Sequence, residues 1–283
     1  MIALAELCTE KLTLRQKILR PFSGDTGVDI YEEEILGMPV LRVRVRLPEN
    51  PRGRTVEARL CRAMDALDRM RIKNVCYNDN FLYKSEFLQE KFGETDTENL
   101  WRLKAAEIAG KASDRRDSVF FAAGTLGPRE RETAEELCLK FRNVAISSGE
   151  NTARFCRRIF DRTGTSVISK SAPFGRIYAD AAVLFSVPSE IECAGSCVVA
   201  GGTLPEGVYG FGKIVTEADF DVPEAPQTPE GYDRQRLLSA AYACGAVKGG
   251  EIAVGKTKTR VFSGEGVIGA MPGSGGQKDT GKP

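Results

Sequence analysis

Between Ser118 and Ser186 short apolar runs alternate with amphipathic stretches. The runs are Val119 to Ala123 (VFFAA), Val144 to Ile146 (VAI), Val167 to Ile168 (VI) and Ala181 to Phe185 (AAVLF). Unbroken apolar runs of this length suit strands covered on both faces. The first intervening stretch sets Ala134, Leu137, Cys138 and Phe141 at i, i+3, i+4 and i+7, one stripe of a helix. Pro128 stands at its first position, where a missing N–H has no intrahelical partner to lose. The second stretch carries Thr152, Phe155, Cys156, Ile159 and Phe160 along one side and stops at Gly164. Crossovers of helix length between buried strands imply parallel pairing, because no tight turn reaches a parallel partner.

The pattern therefore predicts an α/β fold, a Rossmann-like layered body with a mainly parallel sheet. On its amino-terminal side, Val28 to Leu47 reads as a β-hairpin, since LRVRVRL alternates and Gly37-Met38 can form the turn. Paired residue numbers then sum to 75, setting Arg42 against Glu33, Arg44 against Tyr31 and Arg46 against Asp29. Thr55 to Arg71 is a helix with Val56, Leu60, Ala63, Leu67 and Met70 in its stripe, and IKNVCY (72 to 77) is a strand that extends the central sheet. Leu12 to Leu19 can form a short helix, another is expected after Asn80, and Thr95 with Glu98 forms a capping box for a third through Ile108. Beyond Asp221 to Pro229, a proline-rich linker, Thr228 and Pro229 open a helix through Cys244, and a hairpin follows. The expected division is an N-terminal hairpin region at 1–51, an α/β body at 52–216, linker, helix and hairpin at 217–262, and a glycine-rich tail at 263–283 too poor in large apolar groups to order itself.

Charge changes the picture little. Forty Lys and Arg stand against 39 Asp and Glu, so no bulk field draws the whole molecule to nucleic acid or to a membrane. The local exception is an arginine-rich strand: Arg42, Arg44 and Arg46 could present a phosphate-binding face, or could simply pair with the acids of the facing strand. The amino terminus, with Glu6 and Glu10 and no long apolar run, reads as neither signal nor anchor, and a cytoplasmic protein is expected. The eight cysteines then read as buried, reduced thiols.

Histidine is absent, which removes imidazole as base, proton shuttle or metal ligand. Cys193-x-x-x-Cys197 without a second pair is a poor metal site, and none is assigned. Tyr209 and Lys213 spell YxxxK, but Gly210 and Gly212 argue against the helix that this pair needs. Gly250 to Thr257 (GEIAVGKT) satisfies the P-loop expression literally, yet the β-branched TKTRVF after it reads as a strand where a helix must start.

What remains is the carboxyl edge of the central strands, where ligands of such sheets lie. The loops there contain Gly124, Thr125 and Gly127, then Ser147, Ser148, Gly149, Glu150 and Asn151. A complete GxGxxG fingerprint is missing, since Gly124-Thr125-Leu126-Gly127 lacks the glycine that lets backbone meet pyrophosphate. Glu150 stands where a ribose-binding acid belongs, although Ser147 and Glu150 could equally form a capping box for the next helix. No catalytic residue and no particular cofactor is implied. The expected function is a non-catalytic small-molecule-binding or regulatory protein. The alternatives are a nucleotide- or NAD(P)-dependent enzyme using these loops, and nucleic-acid binding through the arginine strand. A small-molecule ligand is the expected partner; nucleic acid is disfavoured, no membrane is expected, and a protein partner or homo-oligomer is left open.

Overall fold

The computed structural model of the protein describes residues 2–10, 26–72, 74–81, 93–94, 96–170, 175–187, 190–223, 228–264 and 266–267. The chain divides into two units, unit 1 formed by Met1–Leu100 with Asp219–Gly255, and unit 2 by Trp101–Ala218 with Lys256–Pro283.

Unit 1 holds a five-stranded sheet made of β1 (Ile2–Glu10), β2 (Val28–Ile35), β3 (Met38–Pro48), β4 (Asn74–Tyr77) and β5 (Gly93–Glu94), in the order β2-β3-β1-β4-β5. A helix, α1 (Gly53–Arg69), follows β3 and buries Val56, Ala63, Met64 and Leu67. All pairings are parallel except β2 with β3. Ala3, Ala5 and Leu7 of β1 pack with Leu41, Val43 and Val45 in the core that also contains the stripe of α1.

The hairpin forms, but its register is two residues away from the expected one: Tyr31 faces Arg42 and Asp29 faces Arg44. The cause is the turn, centred on Leu36 and Gly37 with φ of 54° and 73°, the positive pair that a tight two-residue hairpin requires. A slip of two keeps every side chain on its face. The expected partners therefore still meet on the diagonal: Arg42 Nη1 lies 2.9 Å from Glu33 Oε2 and Arg46 Nε 3.0 Å from Asp29 Oδ2, while Arg44 Cζ is 5.3 Å from the Tyr31 ring centre. A second correction concerns β4. It pairs with β1 and not with the larger sheet. Leu12 to Leu19 and most of the segment after Asn80 lie outside the described residues.

Unit 2 contains most of α2 (Glu98–Ala112), then β6 (Ser118–Ala123), α3 (Pro128–Lys140), β7 (Asn143–Ser148), α4 (Ala153–Thr163), β8 (Ser166–Lys170), β9 (Arg176–Ile177), β10 (Ala181–Leu184), β11 (Ile191–Val199) and most of β12 (Val208–Asp221). The start of α2 is capped by Asp96, whose Oδ1 accepts the Glu98 N–H at 3.0 Å; Thr95, the expected cap, lies outside the described residues. Six strands run parallel in the order β8-β7-β6-β10-β11-β12. Counted by first appearance that is third, second, first, fourth, fifth and sixth, the doubly wound order of dinucleotide-binding sheets. The Rossmann-like α/β fold is thus present. Pro128 opens α3, and Gly164, with φ of 69°, closes α4.

Two glycines make β12 possible. A Cβ on Gly210 would stand 2.3 Å from the Cys193 carbonyl oxygen, and one on Gly212 2.5 Å from that of Ser196, beside a bulge between Ala194 and Ser196. The stretch whose glycines argue in sequence against a helix is therefore a strand pressed against its neighbour.

The chain then adds α5 (Arg234–Ala243) to unit 1. It begins six residues after Thr228, because Asp233 accepts the N–H groups of Gln235 and Arg236. β13 (Ala253–Gly264) lies beside β12, and β14 (Gly266–Val267) pairs with β13. Gly249–Glu251 forms a short 3-10 turn, and Ala253–Gly264 runs as one strand from there. Lys256 is followed by strand, and the P-loop expression has no helix to serve. Residues 268–283 lie outside those described.

Candidate functional site

The strand order of unit 2 reverses between β6 and β10, and there the loops leaving β6, β7 and β10 converge. The Gly149 N–H donates to the Gly124 carbonyl at 3.1 Å, and Ser148 Oγ donates to the same oxygen at 3.3 Å. A Cβ on Gly149 would lie 3.0 Å from that oxygen, and one on Gly124 would lie 3.5 Å from Ser186 Oγ. Glycine is what lets these loops touch. Ala122 pairs with Ser147 on one side and with Leu184 on the other, so Ser147 and Leu184 flank it on one face of the sheet.

Two hydroxyls of these strand ends and loops stand out. Ser147 is fully buried, and neither its Oγ nor the buried Oγ of Ser186 has a hydrogen-bond partner among the described residues. A buried donor left unmade costs about 1–3 kcal/mol, and a group so placed calls for an explanation. Thr125, Glu150 and Asn151 are exposed on the loops. The Glu150 N–H donates to Ser148 Oγ at 3.3 Å, which leaves the carboxylate free of the local turn, while Asn151 Oδ1 accepts the Ala153 N–H at 3.0 Å. The capping-box alternative for Ser147 and Glu150 is corrected: Ser147 is inside β7, and α4 starts after Thr152.

Gly127 precedes α3, whose Pro128 presents no N–H. The Glu130 carboxylate folds back there, 2.7 Å from where a Gly127 Cβ would be. Leu126, which occupies the place of a fingerprint glycine, is buried within the protein. Ser186 was not legible as a site residue, although it directly follows the apolar run AAVLF and the strand before it, β10, is the neighbour of β6 in the doubly wound order.

The arginine strand is a different case. Glu6 of β1, 8 % exposed, receives Arg42 Nη2 at 3.2 Å and a closer contact from Arg44 Nε. Burial works to raise the Glu6 pKa, but the hydrogen bonds and charges of Arg44 and Arg42 outweigh it and hold the carboxyl below its ordinary value. Arg42 also lies 5.4 Å beneath the Tyr232 ring, and Arg46 pairs with Asp29. The three cations are thus engaged by acids of their own sheet, and nucleic-acid binding through Arg42, Arg44 and Arg46 is not supported.

The cysteine expectation is also adjusted. All eight thiols are free, and Cys76, Cys138, Cys156, Cys193 and Cys197 are buried, but Cys8 is only partly covered and Cys61 and Cys244 are exposed. Burial pushes Cys193 and Cys197 up to about 11. No group of three or more cysteine, aspartate or glutamate side chains able to hold a metal occurs among the described residues, and none of their helices is long and apolar enough to cross a membrane.

No family model matches the chain, and no curated protein does. Among solved structures it is similar to a lysine cyclodeaminase studied for recognition of L-lysine, L-ornithine and L-2,4-diamino butyric acid (15 % identity, 35 % of this chain and 34 % of that one, TM-score 0.23). It is also similar to the Thermococcus litoralis Delta(1)-pyrroline-2-carboxylate reductase in complex with NADH and L-proline (10 %, 55 % and 51 %, TM-score 0.25). A third is the ligand-free 5-ketofructose reductase of Gluconobacter sp. strain CHM43 (11 %, 64 % and 68 %, TM-score 0.23). The chain spans about a third of the first structure's length and about half of the second's. Likeness this slight carries no argument alone. All three bear the names of enzymes, and the expectation of a non-catalytic binding or regulatory protein is corrected on that finding.

Proposed function

We propose that the protein is a nucleotide- or NAD(P)-dependent enzyme whose ligand lies over the carboxyl ends of β6, β7 and β10. The observation that carries this reading is the pair of buried hydroxyls, Ser147 and Ser186, without partners at the strand-order reversal. Polar groups placed so are explained by a ligand that completes their hydrogen bonds.

The residues present fit a nucleotide. Gly124 and Gly149 allow its backbone to approach, and Glu150, just past β7, is placed to accept from ribose hydroxyls. Ser147 and Ser186 supply donors, and the start of α3 meets negative charge once the flexible Glu130 side chain turns away. A nicotinamide, when bound, supplies or accepts a hydride. The chain's own part is to orient it and exclude water.

Thermal unfolding of the intact protein is followed with NAD, NADH, NADP, NADPH and ATP in turn. At least one should raise the midpoint in wild type and fail to do so in Gly149→Val. Flat responses to all five at millimolar concentration, or a rise that Gly149→Val keeps, overturn the reading.

A further inference from the structure

At the opposite, amino-terminal end of β6 and β10, unit 2 has a second cleft, with a volume of about 240 Å³. Its walls come from the segment after α2 (Ser113, Asp114 and Arg115), from Asp180 just before β10, from Gly195 and Cys197 of β11, and from Lys213 of β12. At roughly 30 Å³ of liquid per water molecule, it holds about eight waters, the size of a small metabolite.

Three features give the cleft its chemistry. Gly195 has φ of 89° and a Cβ there would meet nothing within 4 Å, so the bulge in β11 keeps one wall open. Cys197 pairs with Ala181 on one side and Lys213 on the other, which sets Asp180 and Lys213 on opposite walls, two strand spacings or about 10 Å apart. Asp180 Oδ2 is already used, accepting the N–H groups of Asp117 and Ser118 at 2.9 Å each, so this carboxylate is fixed in place with its second oxygen to spare. The negative wall is reinforced by the carboxyl end of α2, whose carbonyl dipoles favour a cation. On the positive wall, Lys213 Nζ spends one of its three donors on the exposed Asp114, at 2.9 Å.

We propose that this cleft binds an amino-acid zwitterion, with the ligand ammonium toward Asp180 and the end of α2, and its carboxylate toward Lys213 in place of Asp114. Two cations and two acids line it, so a ligand of single sign meets as much repulsion as attraction, whereas one of both signs satisfies each wall. The cleft lies at the other end of the strands from the nucleotide loops and does not depend on the reading given to them.

Isothermal titration of the intact protein tests this, using L-alanine and 6-aminohexanoate as short and long zwitterions and propionate and propylamine as their halves. One of the zwitterions should bind at least tenfold more tightly than either half. Lys213→Ala should abolish that binding, and Asp114→Ala should strengthen it several-fold by releasing the lysine. The Lys213 side chain is about half exposed and that of Asp114 largely so, and neither change threatens the fold. Gly149→Val should leave this binding unchanged. No heat with either zwitterion at 20 mM, equal affinity for the halves, or binding unaltered in Lys213→Ala would each overturn the proposal.

Discussion

Both units bury polar side chains on a sheet, and they treat them in opposite ways. In unit 1, Glu6 is enclosed on β1 with Arg42 and Arg44 brought to it by the adjacent β3. In unit 2, Ser147 and Ser186 are enclosed on the sheet's carboxyl edge with nothing brought to them. A buried charge must be matched by the protein itself, because leaving it alone destabilises the chain severely. A buried hydroxyl can be left waiting at a cost of only about 1–3 kcal/mol. The paired cluster is a device of folding, and the waiting pair, on the function proposed above, one of binding.

That contrast can be broken most forcefully at Glu6. Glu6→Ala leaves the buried Arg42 with Glu33 and the Tyr232 ring, and should lower unfolding stability by about 3 kcal/mol, read from the urea midpoint. Because the Glu6 pKa is held below its ordinary 4.5, its contribution is present above that value and is lost as pH falls through the lower, folded-state one. Wild type should therefore weaken below about pH 4.5 more steeply than Glu6→Gln. Parallel acid titrations of the two proteins would contradict the assignment.

On the other side of the comparison, Gly149→Val forces side-chain atoms against the Gly124 carbonyl. It should cost nucleotide affinity about a hundredfold while secondary structure, read by circular dichroism, is retained. Ser147→Ala separates the two roles most cleanly. Removing an unpartnered hydroxyl should leave stability unchanged or raise it, by at most about 3 kcal/mol, yet weaken nucleotide binding about tenfold. A large loss of stability would mean that Ser147 is structural after all. The smallest effect is expected at Arg46→Ala, where a part-exposed pair with Asp29 is worth about 0.5 kcal/mol in a thermal melt.

The elements of unit 2 are visible in the sequence because each is locally self-consistent: VFFAA and AAVLF are apolar throughout, and Pro128 and Gly164 mark helix ends. β1 is hidden for the reason that makes it interesting. Its Glu6 breaks the apolar alternation, and the cations that justify it lie 36 and 38 residues away. With β1 unseen, β4 had no visible partner except the larger sheet. β12 is hidden by Gly210 and Gly212, whose requirement is set by carbonyls on another strand. The loops of the candidate site were legible through Gly124, Gly149 and Glu150, since small and acidic residues after a strand have a physical meaning there. Ser186 was not, because a lone serine says nothing until its neighbour is known.

The interleaving of the chain sets an order of events during synthesis. A ribosome that has released Ala218 has delivered β6 to β11 and most of β12 of the doubly wound sheet, whereas α5, needed by the first hundred residues, arrives only with Arg234–Ala243. Neither portion is finished early: the first waits for Asp219–Gly255, and the doubly wound one for β13, whose Phe262 is fully buried in its core. A stop codon placed anywhere between Asp219 and Asp233 removes both α5 and β13, and should yield nascent chains in which neither unit resists protease as it does in the full chain.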